Sequence, residues 1–187
     1  MKLTSKVFIY VFLLIIIFLS CSKDSFDTSS GAYVTFSADT LHFDTVFTSI
    51  GSVTQAVKIF NLNNQKLHLN KIQLAGGANS SFKINVNGLS NNSFSDIDMD
   101  ANDSIYVFVT VNINPNQTNI PFIVRDSILV NYNGNNNYIQ LDAYARNARF
   151  LKNLVITHDT SFTNDLPYVL LGSLTVNPSS TLTTHTR

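Results

Sequence analysis

The residues best suited to chemistry form a short acidic run, Asp96, Asp98, Asp100, Asn102 and Asp103. Alternate carboxylates fall on one face of an extended strand, and calcium takes about 6–8 oxygen ligands. The run departs from an EF-hand loop, which needs Gly at its sixth place and Glu at its twelfth; Ala101 and Val107 stand there. Asp96, Asp98 and Asp100 are therefore weak metal candidates, set against a solvated strand face followed by a turn at Ala101-Asn102-Asp103. His42, His68, His158 and His185 show no paired-ligand spacing, and His42 and His68 occupy polar positions of their segments. No Gly-x-Ser-x-Gly turn presents a serine nucleophile. The acids, 12 Asp and Glu in all, lie mostly in turns, so a carboxylate pair for glycoside hydrolysis has no visible frame. The expectation is a non-enzymatic chain without a cofactor. Tyr106 and Tyr138 are candidates to stack on sugars or to be cross-strand partners.

The single cysteine, Cys21, has a more specific setting. Lys2 and Lys6 precede an uncharged run, Val7 to Leu19 (VFIYVFLLIIIFL). That run is short of the roughly 20 residues a membrane-spanning helix needs. It fits the about 7–15 of a signal-peptide apolar region. Phe18-Leu19-Ser20-Cys21 resembles a lipobox, with Phe18 where Leu or Val is commoner. The resemblance implies cleavage between Ser20 and Cys21 and diacylglycerol on the Cys21 thiol as a thioether. Acylation of the new amino group commonly follows, and two or more chains hold a protein on a membrane where one does so only marginally. Ser22 to Ser30 (SKDSFDTSS) is polar and uncommitted and reads as a flexible tether. Lys23-Asp24 is similar to the lysine-acidic export signals of Bacteroidota surface lipoproteins, although Ser25-Phe26 interrupts the acidic run. The expected location is the cell envelope, at the outer membrane, with the surface and periplasmic faces both open.

Composition sets the frame around these residues. Charged residues are 13% of the chain, with 14 Phe, 7 Tyr and no Trp. Polarity comes from Asn, Ser and Thr, which suit turns and strand faces better than helix interiors. Net charge is zero, and without Lys2 and Lys6 it turns slightly acidic, which leaves no basic footprint for nucleic acid. One cysteine excludes an internal disulfide framework.

From Ala32 to Arg146 the pattern is alternation and turns. Strands are predicted at Tyr33–Phe36, Leu41–Phe47, Val57–Phe60, Leu67–Leu74, Phe82–Val86, Ile105–Ile113, Ser127–Tyr132 and Tyr138–Tyr144. Leu67–Leu74 is read as alternating throughout, Ile105–Ile113 as a central strand. Asn133 to Asn137 reads as a hairpin loop, and Pro115 and Pro121 bound another. Many short strands with no helix between them argue for an all-β, immunoglobulin-like antiparallel sandwich.

The order Val34-Thr35-Phe36, Leu41 to Phe47, Ile50-Gly51-Ser52, Val57 to Asn63, Phe82-Lys83-Ile84, Ala101 to Val107 and Asn112 to Pro115 resembles hydin-like, choice-of-anchor immunoglobulin domains of bacterial secreted proteins. The resemblance implies a spacer or binding module and carries no active site. Beyond it, Asp165 to Val176 and Ser180 to Thr183 look like the first coil of a right-handed parallel β-helix. A final hairpin on the sandwich and a loose tail are the other readings of that stretch.

The expected organisation is a signal peptide at 1–20, lipidated Cys21 and tether at 21–31, sandwich at 32–148, and linker with incomplete β-helix start at 149–187. A coil needs neighbours to cover its inner face, so Val169, Leu171, Leu174, Val176 and Leu182 are expected to be poorly buried. The functional expectation is a lipid-anchored spacer, adhesion or binding module, its partners the membrane through Cys21 and an envelope protein or glycan. The alternatives are a carbohydrate-binding surface lipoprotein and the N-terminal part of a larger β-helix protein acting on polysaccharide.

Overall fold

The computed structural model describes residues 25–115 and 122–185. The signal peptide, the Ser20-Cys21 cleavage site and the loop ending at Pro121 lie outside the described residues. Ten strands build two five-stranded sheets: β1 (Val34–Phe36), β2 (Thr40–Phe47), β3 (Gln55–Asn61), β4 (Leu67–Leu74), β5 (Phe82–Val86), β6 (Leu89–Asn91), β7 (Ser93–Met99), β8 (Ser104–Val111), β9 (Phe122–Tyr132) and β10 (Asn135–Arg146). One sheet has the order β1-β3-β8-β5-β6 and the other β2-β10-β9-β4-β7. The chain is an immunoglobulin-like β-sandwich. Among the described residues the only helical piece is a 3-10 turn at Gly77–Asn79.

Alternation builds the core. On β8, Val107, Val109 and Val111 are buried while Tyr106 and Phe108 face solvent. On β10 the buried series is Ile139, Leu141, Ala143 and Ala145. These faces meet Val57 and Ile59 of β3, Phe82, Ile84 and Val86 of β5, and Ile128 and Val130 of β9 in one continuous cluster. Phe43 of one sheet packs on Phe82 of the other, rings 5.8 Å apart. β8 is central, as its apolar density predicts.

Three features depart from the sequence reading. First, β2 pairs with β10 in parallel, so the sandwich is antiparallel except at this edge. The first strand of the fold is divided: β1 joins β3 in one sheet, then the chain crosses over and β2 joins the other. Second, β4 does not alternate throughout. Leu67 and Leu69 are buried, Asn70 and Lys71 both face out, then Ile72 and Leu74 are buried. The partner β7 slips in the same place, where Asp96 takes a left-handed φ of 57°. Pairing stays in register, Leu69 with Ile97 and Ile72 with Phe94. Third, β6 carries too little apolar alternation to read as a strand, and β7 is legible only as the solvated strand face of the acidic run.

The segment expected as a free tether is fastened from Ser25 onward. Phe26 bridges to Lys66 and the Asp27 N–H donates to the Lys66 carbonyl at 2.8 Å.

Residues 149–187, read as linker and partial coil, form strands earlier than expected. β11 (Arg149–Ile156) pairs in parallel with β13 (Tyr168–Val176), and β12 (Thr160–Phe162) pairs in parallel with β14 (Leu182–Thr184). The strands pair with each other, and Phe150 of β11 sets its ring edge-on to Phe47 of β2, with centres 6.2 Å apart. Arg149 pairs with Tyr168 and Thr160 with Leu182, a repeat of about twenty residues, within the range of solenoids. Gly172 takes a φ of 95° where the pairing shifts, and a Cβ there would collide with the Asn153 side chain. Val169, Leu171, Leu174, Val176 and Leu182 are all partly or fully exposed.

Val109→Asp places an unpaired charge in the closed core, which costs several kcal/mol. It is expected to abolish cooperative thermal unfolding followed by circular dichroism. A tolerated substitution would mean that Val109 faces the other way.

Candidate functional site

The acidic candidates sit on β7, an edge strand, and register decides what they meet. His68 of β4 lies directly opposite Asp98. His68 Nδ1 is 2.6 Å from Asp98 Oδ1, and its Nε2 is 3.4 Å from Asp96 Oδ1. Lys66 Nζ approaches Asp100 at 3.1 Å. Each of the three carboxylates thus faces a cationic or ionisable side chain. Among the described residues no three His, Cys, Asp or Glu side chains come together as a metal-holding group. Charges along a free edge also discourage pairing with another chain.

The hydrogen bond that His68 donates to Asp98 raises the His68 pKa above 6.5; partial burial opposes it, and the charges of Asp98 and Asp96 add to the rise. A second histidine–carboxylate pair lies across β2 and β10, His42 Nδ1 to Asp142 Oδ1 at 2.7 Å. His185 Nε2 lies 3.1 Å from the Ser161 hydroxyl. In the C-terminal strands, Thr163 and Arg149 hydrogen-bond Asp165 and hold its carboxyl down at about 2.

The aromatic candidates separate. Tyr106 and Tyr138 lie on the outer faces of opposite sheets and share no surface. Tyr106 instead stacks on Phe108, two residues along β8, with ring centres 5.7 Å apart and planes within 11°. Lys58 Nζ sits 4.5 Å over the Tyr106 ring. Phe108 then borders a shallow hollow of about 350 Å³ lined by Thr54, Lys83, Asn85, Ser90 and Thr110. One exposed ring beside an ammonium, an amide and hydroxyls is a surface that suits a polar, ring-shaped ligand such as a sugar. Phe108 alternates in the polar phase of β8, which was a visible signal; its stacking on Tyr106 was not. A second hollow of about 330 Å³ lies along the seam between β2 and the start of β3, lined by Phe43, Val46, Phe47, Ile50 and Val53. Gln55 Nε2 closes part of that seam by donating to the His42 carbonyl at 2.7 Å.

These pairs act in opposite pH windows. A folded-state pKa raised above the unfolded value gives His68 a stabilising effect that is complete below about pH 6.5 and fades as pH rises through the folded value. Asp165 is the reverse: its contribution holds above the ordinary carboxylate range and is lost as pH falls towards 2. An NMR titration is expected to show His68 titrating above 6.5, and Asp98→Asn to bring it down. A His68 titration unmoved by Asp98→Asn would show that the pair does not exist in solution.

No family model matches the chain, and no curated protein matches it in sequence. Among solved structures it is similar to a family 123 glycoside hydrolase from Clostridium perfringens, at 10% identity and a TM-score of 0.41 over 60% of this chain. It is similar to a Porphyromonas gingivalis protein of unknown function, at 10% identity and a TM-score of 0.45 over 68%. It is also similar to the Escherichia coli chaperone DraB, at 6% identity and a TM-score of 0.38 over 62%. The matches cover 25%, 50% and 55% of those chains respectively, so this chain spans a part of each.

Proposed function

We propose that the chain is a lipid-anchored, non-catalytic cell-envelope protein of the outer membrane whose sandwich serves as a spacer and binding module. The observation that carries this reading is the position of the lone cysteine: Cys21 follows Leu19-Ser20 at the end of an apolar run too short to span a bilayer. The sandwich supports it by offering broad solvent faces, with His42 and His68 engaged in cross-strand pairs with Asp142 and Asp98. The C-terminal strands are read as the first stacked layers of a right-handed parallel β-helix, which the sandwich would carry.

Capture of glycan is a second reading, favoured by the ring of Phe108 beside Lys83, Asn85, Ser90 and Thr110. In that reading the envelope partner is a polysaccharide.

Cys21→Ser is expected to abolish incorporation of labelled palmitate and to leave the precursor uncleaved. Label that survives the substitution would remove the anchor. For the second reading, residues 22–187 applied to a glycan array are expected to bind a subset of glycans, with Phe108→Ala losing at least tenfold in affinity. Binding unaffected by Phe108→Ala would remove this surface as the site.

A further inference from the structure

We propose that residues 25–31 form a clasp that fixes the sandwich on its lipid anchor, with one defined end facing the bilayer. The inference rests on lipidation of Cys21.

The clasp is built from several independent contacts. Gln65 Nε2 donates to the Ser25 hydroxyl at 2.6 Å. Phe26 bridges to Lys66 and sets its ring edge-on to His68, with centres 6.2 Å apart. The Asn133 side chain donates to the Asp27 and Ser29 carbonyls, at 2.7 and 3.0 Å. Asn135 Nδ2 donates to the Ser30 carbonyl at 3.2 Å. Asp27 accepts the Ser29 N–H and Ser29 the Gly31 N–H, which turns the segment back on itself. The segment is thus tied to the β3–β4 turn, to β4 and to the β9–β10 turn together.

Chain length converts this into orientation. An extended chain spans at most about 3.3–3.6 Å per residue, so Ser25 lies within about 14 Å of Cys21. Were the chain free to Gly31, the reach would be about 35 Å, ample for the domain to roll over. With the clasp closed, the end formed by the turns at 61–66, 100–103 and 133–134 is held against the surface that carries the lipid. Strand β10 begins at that end, and its twelve residues carry the chain roughly 40 Å away to Arg146, next to the C-terminal strands. The anchor and the C-terminal strands therefore sit at opposite ends of one strand.

Charge does not explain this orientation. The proposed membrane end carries Asp27, Asp100 and Asp103 against Lys66, and the Lys66–Asp100 pair is internally matched. Such an end has no attraction for anionic headgroups. The orientation is mechanical, and it is expected to be indifferent to salt.

The test uses lipidated full-length protein in phosphatidylcholine vesicles containing rhodamine-labelled phosphatidylethanolamine. Lipidation consumes the only native thiol, so a cysteine placed at Asn64 or at Ala78, exposed sites beyond opposite ends of β4, takes a donor dye selectively. Energy transfer to the vesicle surface is expected to be several-fold stronger from Asn64→Cys than from Ala78→Cys, at low and high salt alike. Phe26→Ala with Asn133→Gly opens the clasp and keeps the left-handed turn at position 133, whose φ is 46°. It is expected to shrink the difference, as is a ten-residue Gly-Ser insertion after Asp24. Protein that floats with the vesicles but transfers equally from both sites overturns the clasp alone. Protein that neither floats nor incorporates palmitate overturns the anchor and the clasp with it.

Discussion

The clasped end of the sandwich depends on one buried amide. Asn61 closes β3 and is fully buried. Its Nδ2 donates to the carbonyls of Asp100 at 2.8 Å and Gln65 at 3.0 Å, joining the β7–β8 turn to the β3–β4 turn. Its Oδ1 accepts from both the backbone and the side chain of Asn63. Asn63 Nδ2 in turn donates to the Tyr33 carbonyl, which seats the entry to β1. Removing the Asn61 side chain would break the link between the two turns and leave the part-buried Gln65 and Asp100 carbonyls without this donor, where a typical hydrogen bond contributes about 0.5–1.5 kcal/mol. The placement of Gln65 and Lys66, and so the clasp, follows from this amide. Tyr132 does similar work from inside, its hydroxyl accepting from Val34 N–H and from Asn137 Nδ2.

Asn is abundant in the sequence, and its role is only half legible there. Clusters such as Asn61-Leu62-Asn63-Asn64 and Asn133-Gly134-Asn135 announce turns, and turns they are. What the composition does not disclose is that these side chains reach a different turn from their own. Asn133 to Asp27 spans more than a hundred positions, and such a contact exists only once both sheets have closed. The same holds for His68. Its polar phase on β4 was readable, but that Asp98 and not Asp96 lies opposite follows from a register fixed by Leu67 against Met99 and Leu69 against Ile97. An acidic run that looked like a cation site is an edge strand in which His68 and Lys66 answer the carboxylates.

Strands with a strong apolar phase, β8 and β5 among them, were legible almost to their ends, because burial on one face leaves period two in the sequence. The failures are equally physical. β6 (Leu-Ser-Asn) has no buried residue, and β7 buries Met99 fully but Phe94 and Ile97 only in part, spaced three apart so that no period of two shows. Such edge strands leave little alternating apolar trace. The slip at Asn70-Lys71 is matched by Asp96 across the ladder, so neither strand alone reveals it. The parallel junction of β2 with β10 is a consequence of topology, since β1 has already taken the edge of the other sheet.

The two edges at the far end of the molecule contrast with these. β7 is lined with Asp96 and Asp98, and β2 with His42 and Asp44, so both edges of that sheet carry charged side chains. β13 carries no charge: its sequence is Tyr-Val-Leu-Leu-Gly-Ser-Leu-Thr-Val, and Leu170, Leu171 and Val176 are exposed. Its pairing with β11 satisfies one side, and its shift is accommodated by Gly172 against Asn153. Ser173 N–H donates to Asn153 Oδ1 at 3.2 Å, an asparagine-to-backbone rung at the corner of the stack. A parallel pair stabilises itself weakly, and a solenoid layer buries its apolar side chains only against another layer. An uncharged apolar edge is the opposite of the protection found on β7 and β2. The described chain thus combines a sheet whose two edge strands carry charged side chains with a parallel pair whose β13 strand is uncharged and exposes Leu170, Leu171 and Val176.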